Sequence, residues 1–131
     1  MIFIIEDDPV MAECMALATR RAGKVEIRIF SDVISAVQAL DRQLPKLIFL
    51  DILLSGPDGF TLLNELSSYD DTSKIPIVIV SSLALADVKL SHYGVVKILD
   101  KATMTPTQVT DLVRDFLDNA RLSISGGSTD A

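Results

Sequence analysis

Hydrophobic residues cluster along the chain in two alternating kinds of segment. Five short runs rich in Ile, Val and Leu have the length and composition of strands. Four of them lack the alternation of polar and apolar residues that marks a strand with one solvent-exposed face, which predicts burial on both faces. In the run 25–30, Glu26 and Arg28 alternate with apolar residues, so this run is the best candidate for an edge strand. The predicted strands are residues 2–5, 25–30, 47–50, 75–80 and 95–99.

Helical patterns with recognisable ends lie between these runs. Asp8 before Pro9 is predicted to cap a helix rather than to act as a further metal ligand, and Gly23 closes that helix. Thr105 and Gln108 form a capping box ahead of the last apolar stripe. Three further helices are predicted: one capped by Ser31, one after residues 57–59 and a short one near residues 84–92.

The order of these elements predicts the fold class. Five strands alternating with five helices imply right-handed crossovers and a parallel sheet covered on both faces, a doubly wound α/β domain. Ligands of such sheets bind at the carboxyl ends of the strands, near the point where strand order reverses. Residues 1–122 are predicted to form this single domain. The small polar residues of 123–131 are expected to be a disordered tail or the stub of a linker.

Composition narrows the function classes. The 131 residues include 18 acidic and 12 basic side chains, a formal net charge of −6. An acidic chain repels phosphate backbones and anionic lipid, which argues against direct binding of nucleic acid or of a membrane surface. No run suits a membrane helix or a signal peptide, so a cytoplasmic location is expected. Cys14, the single cysteine, lies on an apolar helix face and is expected to be a core residue.

Polar side chains follow four of the predicted strands at their carboxyl ends. In chain order they are Glu6-Asp7-Asp8, Asp51, Ser81-Ser82 and Asp100-Lys101. A parallel sheet would bring these ends to one edge, so the residues are expected to converge in one pocket. Crowded carboxylates need a compensating cation, and oxygen ligands without Cys or His select a hard ion such as Mg²⁺. Such a site suits phosphoryl transfer, with Asp51 as nucleophile, Lys101 as fixed cation and Ser81 as hydroxyl donor.

This pattern resembles the signature of response-regulator receiver domains of two-component signalling over residues 1–121. In that family an acid pair ends the first strand, and a phosphoaccepting Asp ends the third within a D-x-x-x-P-x-x-D-G pattern. Ser or Thr ends the fourth strand and Lys ends the fifth. The matching residues are Glu6-Asp7, Asp51 with residues 52–59, Ser81 and Lys101. The resemblance implies a flavodoxin-like (βα)5 fold whose five-stranded parallel sheet has the order 2-1-3-4-5.

The resemblance also implies an acceptor and a metal site. Asp51 would take a phosphoryl group from a histidine kinase or a histidine phosphotransfer protein. Asp7, Asp51 and the Leu53 backbone carbonyl would ligate Mg²⁺, or Mn²⁺ in its place, with Glu6 acting largely through water. The chain would be no enzyme beyond its own phosphorylation and dephosphorylation, and its output would be contact with a downstream protein target or output domain.

Phosphoryl-binding and switch residues follow from the same resemblance. Lys101 and Ser81, with Ser82 beside it, would grip the phosphoryl oxygens. The sequence departs from the family at Ser55 and Ala102, where proline is usual. It departs again at Ile98, where Tyr or Phe usually turns inward. Without that aromatic side chain, the usual output is expected to be muted or displaced.

Two other functions fit parts of the pattern. Haloacid-dehalogenase-like hydrolases also use a strand-end Asp with Mg²⁺, but they need a second carboxylate two residues later, where this chain has Leu53. A flavin-binding module would need a glycine-rich phosphate loop after the first strand, where the acids of residues 6–8 would repel the flavin phosphate. The basic residues at 20, 21, 24 and 28 fit a kinase-docking patch and a solvated helix end equally well.

Overall fold

The computed structural model describes residues 1–52, 59–82 and 94–130. Within these ranges five strands and four helices follow one another, and each of the five predicted strands is present. The strands are β1 (Ile2–Ile5), β2 (Ile27–Phe30), β3 (Leu47–Asp51), β4 (Ile77–Ser81) and β5 (Val95–Asp100). The helices are α1 (Pro9–Arg20), α2 (Val33–Leu40), α3 (Gly59–Ser67) and α4 (Pro106–Asp130). The short helix predicted near residues 84–92 lies outside the described residues.

All five strands run parallel in the order β2-β1-β3-β4-β5, which confirms the predicted doubly wound α/β fold. β2 lies at one edge, as its polar alternation predicted, and β5 lies at the other. Strand order reverses between β1 and β3, so their carboxyl ends frame the crevice in which ligands of such sheets bind. The register pairs Ile5 with Leu50 and Ser81 with Asp100, and it sets the residues that follow these pairs close together.

The sheet is covered on both faces because successive side chains of a strand point to opposite sides. Phe3 and Ile5 belong to the apolar cluster under α2 and α3, whereas Ile2 and Ile4 belong to the cluster under α1 and α4. All four are fully buried, as the unbroken apolar run predicted. Each buried side chain of this size contributes about 1.5–3 kcal/mol, so the core holds the strand ends in place.

Capping hydrogen bonds explain where α1 and α4 begin. Asp8 accepts a hydrogen bond from the Val10 N–H at 2.9 Å, with Pro9 at the first helical position. Thr105 and Gln108 exchange the two side-chain-to-backbone hydrogen bonds of a capping box, at 2.9 and 3.2 Å. Both starts agree with the sequence prediction.

The predicted cap of α2 was wrong by one residue. The cap is Asp32 rather than Ser31, because Asp32 Oδ1 accepts a hydrogen bond from the Ser35 N–H at 2.7 Å. Aspartate and serine cap helices about equally well, so the two neighbouring residues could not be separated by type alone. The extended backbone at Asp32 decides between them.

The expectation that Cys14 is a core residue was also wrong, because the side chain is exposed. α1 buries Met15 and Ala18 against the sheet and α4, whereas Val10 and Cys14 lie on its solvent side. The predicted apolar stripe was therefore wider than the face that α1 buries.

α4 has a helical backbone as far as Asp130, where the sequence predicted a disordered tail or a linker stub over residues 123–131. The expectation rested on the small, polar composition of this segment, which offers little apolar surface to bury. The domain boundary at residue 122 stays a prediction.

Candidate functional site

Three acidic residues with different surroundings follow β1. Glu6 is only 2% exposed, and its backbone N–H donates to the Phe30 carbonyl of β2 at 2.9 Å. The sheet ladder therefore extends one residue beyond β1 and carries the Glu6 carboxylate into the interior of the edge. Asp8 is exposed and caps α1, which is the role that its place before Pro9 predicted. Asp7 lies between these two residues.

Asp51 is the last residue of β3 and is 4% exposed. Glu6 and Asp51 each follow one residue of the Ile5–Leu50 pair, so the register of β1 and β3 brings them to the same place. Carboxylate oxygens of Glu6, Asp7 and Asp51 all lie within 4.8 Å of one another. The structure thus assembles the three acids that the sequence predicted to converge.

Lys101 reaches this acidic cluster from the far edge of the sheet. Its Nζ lies 2.9 Å from Asp51 Oδ2, in a hydrogen bond, and 2.6 Å from Glu6 Oε1, in an ion pair. The Lys101 side chain is 20% exposed, so the ammonium group is mostly shielded from solvent beside the two carboxylates. The trans peptide bond to Ala102 is compatible with these contacts, although proline is usual at that position in the family.

The surroundings shift the acid–base equilibria of two of these groups. Burial is the main cause that raises the pKa of Glu6 to about 7, and the Lys101 contact opposes it. Burial lowers the pKa of Lys101, but the contacts with Glu6 and Asp51 outweigh it and leave that pKa above its ordinary value. Lys101 therefore stays an ammonium ion at neutral pH, which is what a fixed cation requires.

The remaining predicted site residues differ in how deeply the structure buries them. Ser81 ends β4, is buried, and its carbonyl accepts a hydrogen bond from the Lys101 N–H at 2.9 Å. Ser82 follows it and is exposed. Ile98 lies on β5 and is 38% exposed, so its side chain is not buried in the core. Leu53 and Ser55 lie outside the described residues.

Two residues shape the site in ways that the sequence did not predict: Gly59 matched only as part of the family pattern, and Asp100 was expected to join the other strand-end acids in the pocket. A Cβ on Gly59 would lie 2.7 Å from the Cα of Ile52 and 3.0 Å from the Asp51 carbonyl oxygen, so only glycine allows this approach to the end of β3. Asp100 organises the turn that carries Lys101, through Oδ1 and its carbonyl oxygen. An aspartate at the start of a three-residue turn is the signal that could have identified it.

Chemically, the site pairs buried oxygen ligands with one fixed cation. Three carboxylates face one ammonium group among the described residues, so the cluster carries excess negative charge. Oxygen donors without Cys or His suit a hard divalent cation. An aspartate at the end of a strand, beside a lysine and a metal site, is also the arrangement that phosphoryl transfer requires.

A parallel five-stranded sheet with this acidic cluster and lysine at its carboxyl edge defines a phosphoacceptor-type α/β domain. The chain belongs to the family described as the response regulator receiver domain, whose model matches residues 2–114. The predicted resemblance is therefore confirmed, and the comparisons do not favour the haloacid-dehalogenase-like alternative.

Individual relatives agree with this assignment. The chain is 33% identical over 93 residues to the DNA-binding dual master transcriptional regulator RpaA of Synechocystis sp., a match that covers 70% of this chain and 38% of RpaA. It is 26% identical to the receiver domain of a signal transduction histidine kinase from Syntrophus aciditrophicus, with a TM-score of 0.77 and coverage of 90% and 89%. The Mn²⁺-bound response regulator Rcp1 is 23% identical, with a TM-score of 0.69 and coverage of 87% and 88%, and supports the fold alone.

The chain spans about a third to just over half of the length of the curated relatives that it matches first. The activities of those whole proteins therefore do not transfer to it directly. No helix in the described part of the chain combines the length and the apolar character that crossing a membrane requires.

Proposed function

We propose that this receiver domain accepts a phosphoryl group on Asp51 from the phosphohistidine of a kinase or phosphotransfer protein. The observation that carries the proposal is the position of Lys101 Nζ, 2.9 Å from Asp51 and 2.6 Å from Glu6. A lysine that joins the ends of three strands in this way is placed to hold the oxygens of a group attached to Asp51.

The transfer is an exchange of one bond to phosphorus for another. A carboxylate oxygen of Asp51 would form the new O–P bond while the N–P bond to the donor imidazole breaks. The bonding pair stays on the imidazole nitrogen, which takes up a proton. Lys101 offsets the charge that accumulates on the phosphoryl oxygens, and the Ser81 hydroxyl, with Ser82 next to it, is the proposed hydrogen-bond donor.

The acidic cluster fits a divalent cation, which we assign as Mg²⁺ with Mn²⁺ as the alternative. Glu6, Asp7, Asp51 and the backbone carbonyl of Leu53 would hold it. The support is the donor set, which consists of carboxylates whose charge one lysine balances only in part. When bound, the cation supplies charge neutralisation for the phosphoryl oxygens.

Phosphorylation would then shift contacts with other proteins. The new group adds negative charge and acceptor oxygens beside Ser81 and Lys101, which favours a conformer that draws these residues inward. Ile98 offers no aromatic ring for this step, so the usual output is proposed to be muted or displaced to another surface. A downstream protein or output domain is the proposed receiver of the signal, in the cytoplasm and without direct contact to nucleic acid or membrane.

The hydrolase alternative requires a carboxylate at position 53, where the chain has leucine. The chain is therefore proposed to be no enzyme apart from the formation and loss of its own phosphoaspartate. Residues 1–122 are proposed as the receiver unit, with residues 123–131 as the segment that follows it.

The test is labelling with acetyl phosphate, measured as the mass added to the intact protein. One phosphoryl group per chain is expected, with Mg²⁺ required and chelator abolishing it. Asp51→Ala should abolish labelling, whereas Asp115→Ala, an exposed aspartate of α4, should leave it unchanged. Undiminished labelling of Asp51→Ala would move the acceptor to another residue.

A further inference from the structure

The segment that carries Lys101 is held by one neighbouring residue, Asp100. The three backbone N–H groups that follow Lys101 all donate to Asp100. Ala102 N–H donates to the side-chain Oδ1 at 2.8 Å, and the N–H groups of Thr103 and Met104 donate to the carbonyl oxygen at 3.1 and 2.8 Å. An aspartate that accepts the N–H two residues later forms a local turn and limits the backbone angles between the two residues.

Lys101 lies inside this turn and is fixed on its other side by the sheet. Its own N–H donates to the Ser81 carbonyl at 2.9 Å, which continues the pairing of Ser81 with Asp100. The direction of the Cα–Cβ bond is thus set by the β4–β5 ladder and by the Asp100 turn. A lysine side chain is flexible, so the direction in which it leaves the backbone decides how readily Nζ reaches Glu6 and Asp51.

The hydrogen bond to Oδ1 depends on the residue that follows Lys101. Alanine at position 102 has an N–H to donate, whereas the proline usual there in the family has none. Asp100 and Ala102 therefore act as a pair in this chain. Asp100 is exposed and its carboxylate is directed to the backbone of its own turn, so it is not a ligand of the acidic cluster.

We infer that Asp100 is a positioning residue, which presents Lys101 to the phosphoryl group through the hydrogen bond from Ala102 N–H to Asp100 Oδ1. This inference rests on the proposed function, since it concerns the grip of Lys101 on the group attached to Asp51. A typical hydrogen bond contributes a few-fold to an equilibrium, so its loss should weaken that grip by about 2- to 10-fold.

Beryllofluoride, a mimic of the phosphoryl group, provides the test because it binds without covalent turnover. Asp100→Ala should weaken beryllofluoride binding in saturating Mg²⁺ by about 2- to 10-fold. Asp100→Asn keeps an oxygen acceptor and should restore most of the affinity, which separates the hydrogen bond from the loss of a charge. Asp32→Ala removes a similar aspartate-to-backbone bond from α2 and should lower only the melting temperature.

A double-mutant cycle makes the inference specific. Ala102→Pro removes the donor, so Asp100→Ala should cause no further loss of affinity in the Ala102→Pro background. Equal binding by wild type and Asp100→Ala would overturn the inference, as would the same weakening in both backgrounds. If wild type itself fails to bind beryllofluoride and acetyl phosphate does not label it, the proposed function fails first, and the inference falls with it.

Discussion

Two sets of acidic residues lie at the carboxyl edge of the sheet, and they differ in burial and in what they bind. The site floor consists of Glu6 and Asp51, which are buried and face the Lys101 ammonium at 2.6 and 2.9 Å. The rim aspartates are Asp8 and Asp100, which are exposed, and Asp32, which is half-buried, and each accepts a backbone N–H. Acidic residues at the same edge of the sheet therefore have two roles: some contact the lysine, and others accept hydrogen bonds from the backbone.

The difference shows how burial assigns roles to carboxylates. A buried carboxylate keeps its charge only beside a cation, so the floor is coupled to Lys101 and to any metal that binds there. A carboxylate in contact with solvent keeps its charge without a cation. Its contribution to the structure is to accept a hydrogen bond from a nearby backbone N–H. The floor thus supplies the reactive group and its counter-charge, and the rim fixes the chain that presents them.

The largest predicted effect comes from removing the cation of the floor. Lys101→Met should lower the free energy of unfolding by about 2–3 kcal/mol in the absence of divalent ions, because it leaves buried carboxylates without a partner. This is less than the ~3–5 kcal/mol of a fully buried pair, since the lysine is partly exposed and Glu6 can take up a proton. Urea unfolding at neutral pH with chelator present measures it.

Lys97→Met is the matched control, because Lys97 also lies on β5 but is exposed. Its effect on stability should be within about 0.5 kcal/mol. Equal losses for the two variants would show that the ion pairs of the floor contribute little to folding, and the contrast with the rim would then fail.

A smaller loss of stability is expected from a substitution at Gly59, whose backbone lies close to the end of β3. Gly59→Ala should destabilise the domain by about 1–2 kcal/mol, because the added Cβ would lie 2.7 Å from the Ile52 Cα. Gly23→Ala is the control, since its Cβ would meet only the end of the Leu117 side chain, at 3.3 Å, which can move. Thermal unfolding of both variants distinguishes them. Similar melting temperatures would mean that α3 shifts without cost.

Most of the fold could be predicted from the sequence because buried parallel strands leave a strong pattern. The strand 2–5 was located to the residue, and two helix caps followed from Asp8-Pro9 and from Thr105 with Gln108. The errors arose where the pattern was ambiguous. Ser31 and Asp32 are both good capping residues, and only the backbone conformation shows which one caps α2. The apolar stripe of α1 likewise does not show how much of the helix the sheet covers, and Cys14 is left exposed.

The residues of the site could be predicted from the sequence, but the residues that position them could not. The convergence of Glu6, Asp7 and Asp51 followed from strand ends that must meet at one edge. Asp100 was seen beside Lys101, yet its role depends on three hydrogen bonds that only the turn geometry reveals. The close approach of Gly59 depends likewise on the path of the chain after β3 and not on residue type.

The smallest predicted effect is the pH dependence of a rim aspartate. The hydrogen bond from the Ser35 N–H, with that from the Ser35 hydroxyl, holds the pKa of Asp32 below its ordinary value of 3.8. An acid whose pKa is lowered by folding stabilises the native state above its unfolded pKa, and this contribution is lost as the pH falls through the folded pKa. Asp32→Asn keeps a capping oxygen but cannot ionise, so wild type should melt above the variant at neutral pH and lose this advantage in acid below about pH 4. Asp115→Asn, on the exposed face of α4, controls for the loss of one charge, and a wild-type advantage over Asp32→Asn that persists unchanged in acid would exclude this linkage.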